Sequence, residues 1–278
     1  MPKIVLLGAG QMGEAAAALL NETEYELAAF GDNKLTGLLA GKPILPVAQA
    51  LALEPEVVLI AVAGREREQE LAAQVQKLGF QGSIRLLSDF SRSLDIRKAV
   101  LWRLAARLEQ VPGAVAELGV YRGDFARVLN RFFPRRTLYL FDTFSGFTAA
   151  DLQVEQAGRY SGAGTGDFAD TQVDLVLNRL PYPEQAQIYR GRFPDTVSGL
   201  EENFALVSLD VDLYAPTLAG LNWFWPRLNK GGALLLHDWA SRRFKGVGAA
   251  LEAFEQDRGP LALCPVGDLH GTAVLLKT

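Results

Sequence analysis

Two tandem α/β units, each organised on a parallel sheet, are what this 278-residue sequence predicts. Three observations carry that expectation. Glycine-rich turns at Gly8–Gly13 and Gly119–Gly123 each follow a short apolar run and precede a helical stretch. After each comes a second apolar run that ends in an aspartate, Asp32 and Asp142. Two later runs, Phe204–Leu209 and Ala233–Leu236, have the length and bulk of strands buried on both faces, and both end in acidic clusters. The pattern is Rossmann-like twice over: a smaller unit over residues 1–90 and a larger one over 91–278.

In the first unit, Lys3–Gly8 reads as a buried strand, and Gly8-Ala9-Gly10-Gln11-Met12-Gly13 is a complete G-x-G-x-x-G before the helix Glu14–Leu20. Tyr25–Phe30 is a second strand, and Asp32 stands at the distance where a dinucleotide fold places its ribose-binding carboxylate. Strand Glu56–Val62, helix Arg65–Leu78 and strand Ile84–Leu87 continue the alternation. Gly8, Gly10, Gly13 and Asp32 are therefore candidate nucleotide-binding residues. Asp32-Asn33-Lys34, Gly37 and Gly41-Lys42-Pro43-Ile44 resemble a nucleotide-sugar-binding or CoA-binding-like module. The alternative is a degenerate module used for packing, dimerisation or docking, its ligand unassigned. NAD-linked redox chemistry is a further alternative, though no hydride-transfer partner is apparent.

Polar breaks at Gln81–Ser83 and Ser88–Ser93 separate the units and place the boundary near residue 90. Leu94–Leu108 has apolar residues at helical spacing, with Trp102 expected in the core in preference to an interdomain contact. The second unit opens with strand Ala114–Leu118 and helix Asp124–Phe132, and Glu117, Gly119 and Gly123 form E-x-G-x-x-x-G. Its glycines allow close backbone approach to a ligand. Asp142, ending strand Thr137–Phe141, is suited to accept ribose hydroxyl protons, or to serve as a turn residue. Asp151–Gly166 reads as a mobile, glycine-rich lid, Phe168–Leu180 as a helix and Gln187–Tyr189 as a strand. In the turn Gly191-Arg192-Phe193, Phe193 would flank an adenine or simply pack.

Strand Phe204–Leu209 delivers Asp210 and Asp212, and the neighbouring strand Ala233–Leu236 delivers His237 and Asp238. Ligands bind at the carboxyl ends of strands in open sheets, and carboxylates crowded there repel unless a cation holds them. Asp210, His237 and Asp238 are the candidate ligands of a divalent metal. Tyr214 and Trp239 would form an apolar or ring-stacking wall or pack sheet against helix. Trp223, Phe224 and Trp225 belong to the core or to a subunit contact, so a homo-oligomer stays open. Arg242, Arg243 and Lys245 would steer an anionic substrate or are solvated. The last strand is expected over His270–Leu276, with no role for His270.

GVYRGDFARVLN, LYLFDTFSGF, GDFADT, YRGRFPDT, LVSLDVDLYAPT, LNKGGALLLHDW and FKGVGAALEAF resemble, in that order, the macrolide and aminocoumarin sugar O-methyltransferases of the TylF/NovP-like family. The resemblance covers about residues 95–278 and does not extend to the first unit. It implies a class I methyltransferase fold, S-adenosylmethionine as methyl donor, Mg²⁺ as cofactor and a small-molecule or glycan acceptor. The candidate cofactor-binding residues are Glu117, Gly119, Tyr121, Gly123, Asp142, Thr143, Gly191, Arg192 and Phe193. Asp210 is implied as metal ligand and Asp212 as general base. In an extended strand, Asp212 would face the same side as Asp210. The chain departs from the family in having His237-Asp238 where Asp-Asp is usual. An imidazole softens the donor set and admits Mn²⁺ or Fe²⁺ beside Mg²⁺. His237 would be ligand, base, or only a partner of the neighbouring strand. Against catalysis stands a non-catalytic nucleotide or S-adenosylmethionine sensor, which would have no use for clustered carboxylates.

The totals agree with a globular enzyme. Hydrophobic residues make up 49% of the chain and its net charge is −4, which disfavours nucleic acid or anionic membrane as the main partner. A single cysteine, Cys264, excludes an internal disulfide and fits a reducing compartment. The opening MPKIVLLGAG lacks the features of a secretory leader, so a cytoplasmic protein is expected.

Overall fold

The computed structural model describes residues 1–278. The chain divides into two compact units, Met1–Ile96 with Gly267–His270, and Arg97–Val266 with Gly271–Thr278. The division falls six residues beyond the boundary read from the sequence, and the first unit takes in a short segment from near the other end. There Leu269 packs against the core formed by Ile4, Leu6 and Ala16.

The first unit runs β1 (Lys3–Leu7), α1 (Gln11–Leu19), β2 (Glu26–Gly31), β3 (Gly37–Leu39), β4 (Lys42–Leu45), α2 (Val47–Leu51), β5 (Val57–Ile60), α3 (Arg65–Lys77), β6 (Ser83–Leu86) and α4 (Leu87–Ser93). Its sheet has the order β3-β4-β2-β1-β5-β6, parallel except for β3. The central strands are aliphatic because helices cover both faces. Val5, Leu7, Val58 and Ile60 belong to one core layer, and Ile4, Leu6 and Phe30 to the other.

The second unit comprises α5 (Ile96–Leu108), β7 (Ala114–Leu118), α6 (Asp124–Phe132), β8 (Leu138–Asp142), α7 (Ala149–Gly158), α8 (Val173–Leu177), β9 (Ala186–Arg190), β10 (Phe204–Leu209), α9 (Tyr214–Phe224), β11 (Leu228–Leu236), α10 (Lys245–Gln256), β12 (Leu263–Pro265) and β13 (Ala273–Leu276). Strand order is β12-β13-β11-β10-β7-β8-β9, with β13 antiparallel to both its neighbours. β7 and β10 are buried at every residue, as strands flanked on both faces must be. The chain winds outward from β7 through β8 and β9, then returns to β10 and winds the other way. Strand order therefore reverses between β7 and β10, and the crevice at that reversal is where such sheets hold ligands. One core layer is aromatic: Phe141, Phe193, Phe204, Trp223 and Phe224 meet edge to face or stacked. Each such ring contributes about 1.5–3 kcal/mol by leaving water.

Several expectations are corrected. Asp151–Gly166 is not a loop throughout, because its first half is α7, capped by the Thr148 side chain. The helix expected over Phe168–Leu180 shrinks to α8. Phe168 takes a left-handed φ of +57° and packs edge-on against Tyr121, while the Thr171 hydroxyl donates to the Tyr121 carbonyl. Trp102 is 62% exposed rather than in the core, with the Arg103 guanidinium 5.1 Å from its ring centre. β11 begins at Leu228, before the two glycines, and its pairing with β10 shifts register on the way to Ala233. The last strand starts at Ala273, because His270 belongs with the first unit.

Gly13 and Gly10 give a paired stability test. A Cβ on Gly13 would collide with the Gly8 carbonyl oxygen, whereas one on Gly10 would meet nothing within 4 Å. Gly13→Ala is expected to destabilise the protein by about 3 kcal/mol through forced backbone movement, and Gly10→Ala by less than about 1 kcal/mol. Denaturant unfolding of the two variants checks the ordering.

Candidate active site

Hydrogen bonds continue past the strand ends of the second unit and hold the tips side by side. Gly119 N donates to Phe141 O at 2.9 Å, Asp210 N to Leu118 O at 2.8 Å, and His237 N to Leu209 O at 2.9 Å. Gly119 has φ +89°, and a Cβ there would strike the Asp210 carbonyl. Only glycine lets the first tip approach the fourth strand this closely.

The side chains of Asp210, His237 and Asp238 converge. Their potential ligand atoms all lie within 4.8 Å of one another. His237 Nδ1 is 2.8 Å from Asp210 Oδ1 and 3.0 Å from Asp238 Oδ2. The Arg97 guanidinium, from the first turn of α5, lies 3.1 Å from Asp210 Oδ2 and 4.9 Å from the Phe125 ring centre. Burial opposes a charged imidazole, yet the Asp210 carboxylate and its hydrogen bond, with help from Asp238, raise His237 to about 10. Burial would also raise Asp210, but the His237 and Arg97 charges outweigh it and hold that carboxyl well below the usual range. Asp212 behaves oppositely: burial, then the charges of Asp210 and Asp238, push its carboxyl well above the ordinary value.

Asp212 joins this cluster by a route the sequence did not suggest. It is not extended but left-handed, φ +61°. Asp238 has φ +55°, Tyr121 +49° and Phe144 +53°. Each follows the carboxyl end of β10, β11, β7 or β8, so all four central tips turn through a non-glycine left-handed residue. Such conformations cost about 1–2 kcal/mol each and collect at functional sites.

The cofactor candidates surround the same crevice. Asp142 Oδ2 accepts from Val120 N at 2.7 Å and Tyr121 N at 2.9 Å, and Oδ1 accepts from Phe144 N at 2.7 Å. The Thr143 hydroxyl donates to Gly146 O at 2.7 Å, closing that turn. Gly123, φ +80°, launches α6, and Gly191 N donates to Asp142 O at 2.9 Å. Glu117 is wholly buried, Oε2 makes no hydrogen bond, and burial followed by the Asp210 charge pushes its carboxyl well above the usual range. Two candidates are occupied otherwise. Arg192 pairs with Asp151 of α7 at 2.8 Å, and Phe193 is a core ring stacked on Phe224 at 5.5 Å.

The first unit uses the same backbone device. Gly8 N donates to Gly31 O and Ala61 N to Leu7 O, both at 2.8 Å. Asp32 accepts from Ala9 N at 2.9 Å, Lys34 N at 2.8 Å and Leu35 N at 3.0 Å, as Asp142 does in the second unit. Gly8, Gly10, Gly13 and Asp32 therefore come together at one strand edge. Ala61 stands where the second unit has Asp210, so this tip carries no acid.

The second unit, an α/β sheet with a glycine cradle and acidic strand tips, has the fold of class I methyltransferases. The solved structure of the O-methyltransferase NovP shares it, with a TM-score of 0.53 and 20% identity over 66% of this chain and 80% of that one. The macrocin-O-methyltransferase (TylF) family profile matches residues 95–277, and the chain belongs to that family. The 8-demethyl-8-(2,3-dimethoxy-alpha-L-rhamnosyl)-tetracenomycin-C 4'-O-methyltransferase of Streptomyces olivaceus is 28% identical over 179 residues, covering 60% of this chain and 66% of the relative. The mycinamicin III 3''-O-methyltransferase of Micromonospora griseorubida is 30% identical over 150 residues, covering 49% and 58%. The chain thus spans 58–66% of the length of these curated relatives. No helix is long and apolar enough to cross a membrane.

Arg97, Asp151 and Glu155 were not singled out from sequence. Arg97 looks like any solvated cation in the α5 pattern, and the two α7 carboxylates lie in a stretch that reads as polar loop.

Because His237 is raised to about 10, its contribution to stability is complete below about pH 6.5 and is lost as pH rises through about 10. Metal-free wild type is expected to lose on the order of a few kcal/mol across that window, and His237→Gln to show a flatter profile. Chemical denaturation between pH 6 and 10 checks the slope.

Proposed function

We propose that this chain transfers a methyl group from S-adenosylmethionine to a sugar hydroxyl, on a nucleotide sugar, a glycan or a glycosylated natural product. The observation that carries the reading is the direct backbone approach of Gly119 to Asp210, which joins the glycine cradle to the acidic tips at one crevice. The family and the names of its glycoside-modifying relatives support the choice of acceptor.

Glu117, Gly119, Tyr121, Gly123, Asp142, Thr143 and Gly191 form the cofactor cradle, with Asp142 facing the ribose. Arg192 contributes by fixing α7 through Asp151, and Phe193 by filling the core beneath. With the His237 imidazolium giving up its proton on binding, the donor set of Asp210, His237 and Asp238 would fit a divalent cation, Mg²⁺ or, given the imidazole, Mn²⁺. Such a cation supplies Lewis acidity that lowers the pKa of a neighbouring hydroxyl. Asp212 receives the hydroxyl proton. Its buried position beside two carboxylates gives it high proton affinity, which suits a base once it enters the reaction ionised. The acceptor oxygen forms the new O–C bond as the C–S bond breaks, its electron pair remaining on sulfur in S-adenosylhomocysteine.

In the first unit, the cradle of Gly8, Gly10, Gly13 and Asp32 supports a nucleotide-binding reading with its ligand unassigned. Ala61 at the opposing tip supplies no acid or base, which favours binding over redox chemistry there.

Mass-spectrometric methylation assays on nucleotide sugars and glycosides test the reading. Asp212→Asn is expected to lower kcat by about 10²–10⁴-fold while leaving S-adenosylmethionine affinity within about threefold. Full activity in that variant removes Asp212 as the base. Chelation is expected to abolish turnover and added Mg²⁺ or Mn²⁺ to restore it; chelator-resistant turnover removes the metal.

A further inference from the structure

Glu155 is a buried carboxylate that the chemistry above does not use. It is 1% exposed, on the inner face of α7 beside Asp151 and Leu152. Oε2 accepts from Tyr214 N at 2.9 Å, and Oε1 makes no hydrogen bond. A Cβ on Gly246 would lie 2.8 Å from Oε2, 3.1 Å from Oε1 and 2.8 Å from Tyr214 N. The carboxylate is therefore seated where the first residues of α9 and α10 meet. Neither helix has an acidic residue in its first turn, and their caps, Leu213 and Phe244, offer no side-chain acceptor. Helix N-termini leave unpaired N–H groups and partial positive charge. A single remote carboxylate supplies an acceptor to the first residue of α9 and lies against the first turn of α10.

The anchorage closes a ring. Glu155 O accepts from Tyr160 N, Tyr160 O accepts from Lys245 N, and the Tyr160 ring stacks on Tyr214 at 5.0 Å with an 11° tilt. Tyr214 lies two residues beyond Asp212, and the intervening Leu213 is wholly buried. The Asp212 backbone is left-handed, a conformation its surroundings must impose. A single residue, Leu213, separates the Tyr214 amide from Asp212 along the chain.

We propose that Glu155 is a positioning residue that sets Asp212 for proton transfer by pinning the start of α9, with Gly246 as the space that admits it. The proposal rests on the reading of Asp212 as base. Loss of the pin displaces that carboxylate without disturbing the cofactor cradle on β7 and β8. Misplacement on the ångström scale costs up to about 10²-fold in rate.

The test uses full-length Glu155→Ala, Glu155→Gln and Gly246→Ala. Glu155→Ala and Gly246→Ala are expected to lower kcat by about 10–100-fold with S-adenosylmethionine Kd unchanged within about threefold. Glu155→Gln keeps an acceptor for Tyr214 N and is expected to recover most of the loss. In single-turnover assays, Glu155→Ala should cost nothing further in an Asp212→Asn background, because both act through one group. A kcat within about twofold of wild type in Gly246→Ala and Glu155→Ala overturns the proposal, as does an undiminished Glu155→Ala effect in the Asp212→Asn background. Should Glu155→Ala fail to fold, Glu155→Gln and Gly246→Ala decide. If wild type methylates no glycoside, the reaction assignment fails. Hydrogen exchange at the Tyr214 amide then judges the anchor alone: faster exchange in Glu155→Ala supports it, and unchanged exchange removes it.

Discussion

Negative charge gathered at the ends of β10 and β11 is the constraint around which the second unit is arranged. Asp210, Asp212 and Asp238 could not share so small a volume as three bare carboxylates. The His237 imidazolium and the Arg97 guanidinium compensate Asp210, and Asp212 escapes repulsion by holding its proton more tightly. Unequal proton affinity among neighbouring acids is a general mark of sites that divide roles between them. The positions of the tips follow from the backbone: bonds beyond the strand ends keep Gly119, Asp210 and His237 in register, and Gly119 removes the one Cβ that would push them apart.

Both units are built on one backbone plan. A glycine ends the first strand, a carboxylate ends the second, and that carboxylate gathers N–H groups from the glycine turn. The units differ in what stands across the strand-order reversal. Ala61 in one and Asp210 in the other turn a shared scaffold into a cradle alone or a cradle beside acids.

Much of this arrangement was legible in the sequence because it depends on short-range patterns. Apolar runs, the glycine turns and the aspartates ending strands mark themselves by spacing. The contributions of α7 were hidden, since Asp151 and Glu155 gain meaning only from Arg192 and Tyr214, 41 and 59 residues away. Phe193 and Trp102 show the same limit in reverse: an aromatic's burial depends on which face the folded neighbours leave open. Asp212 was expected to face its strand-mate through extended geometry, whereas a left-handed turn brings it to the cluster.

The first unit draws Leu269 into its core. During synthesis its strands and helices emerge long before that residue does, so this contact forms only after most of the second unit is translated. Completion of the earlier-made unit is thereby tied to the last stretch of chain. A cut after residue 96 would remove this contact, and the first unit is not one continuous segment of the sequence.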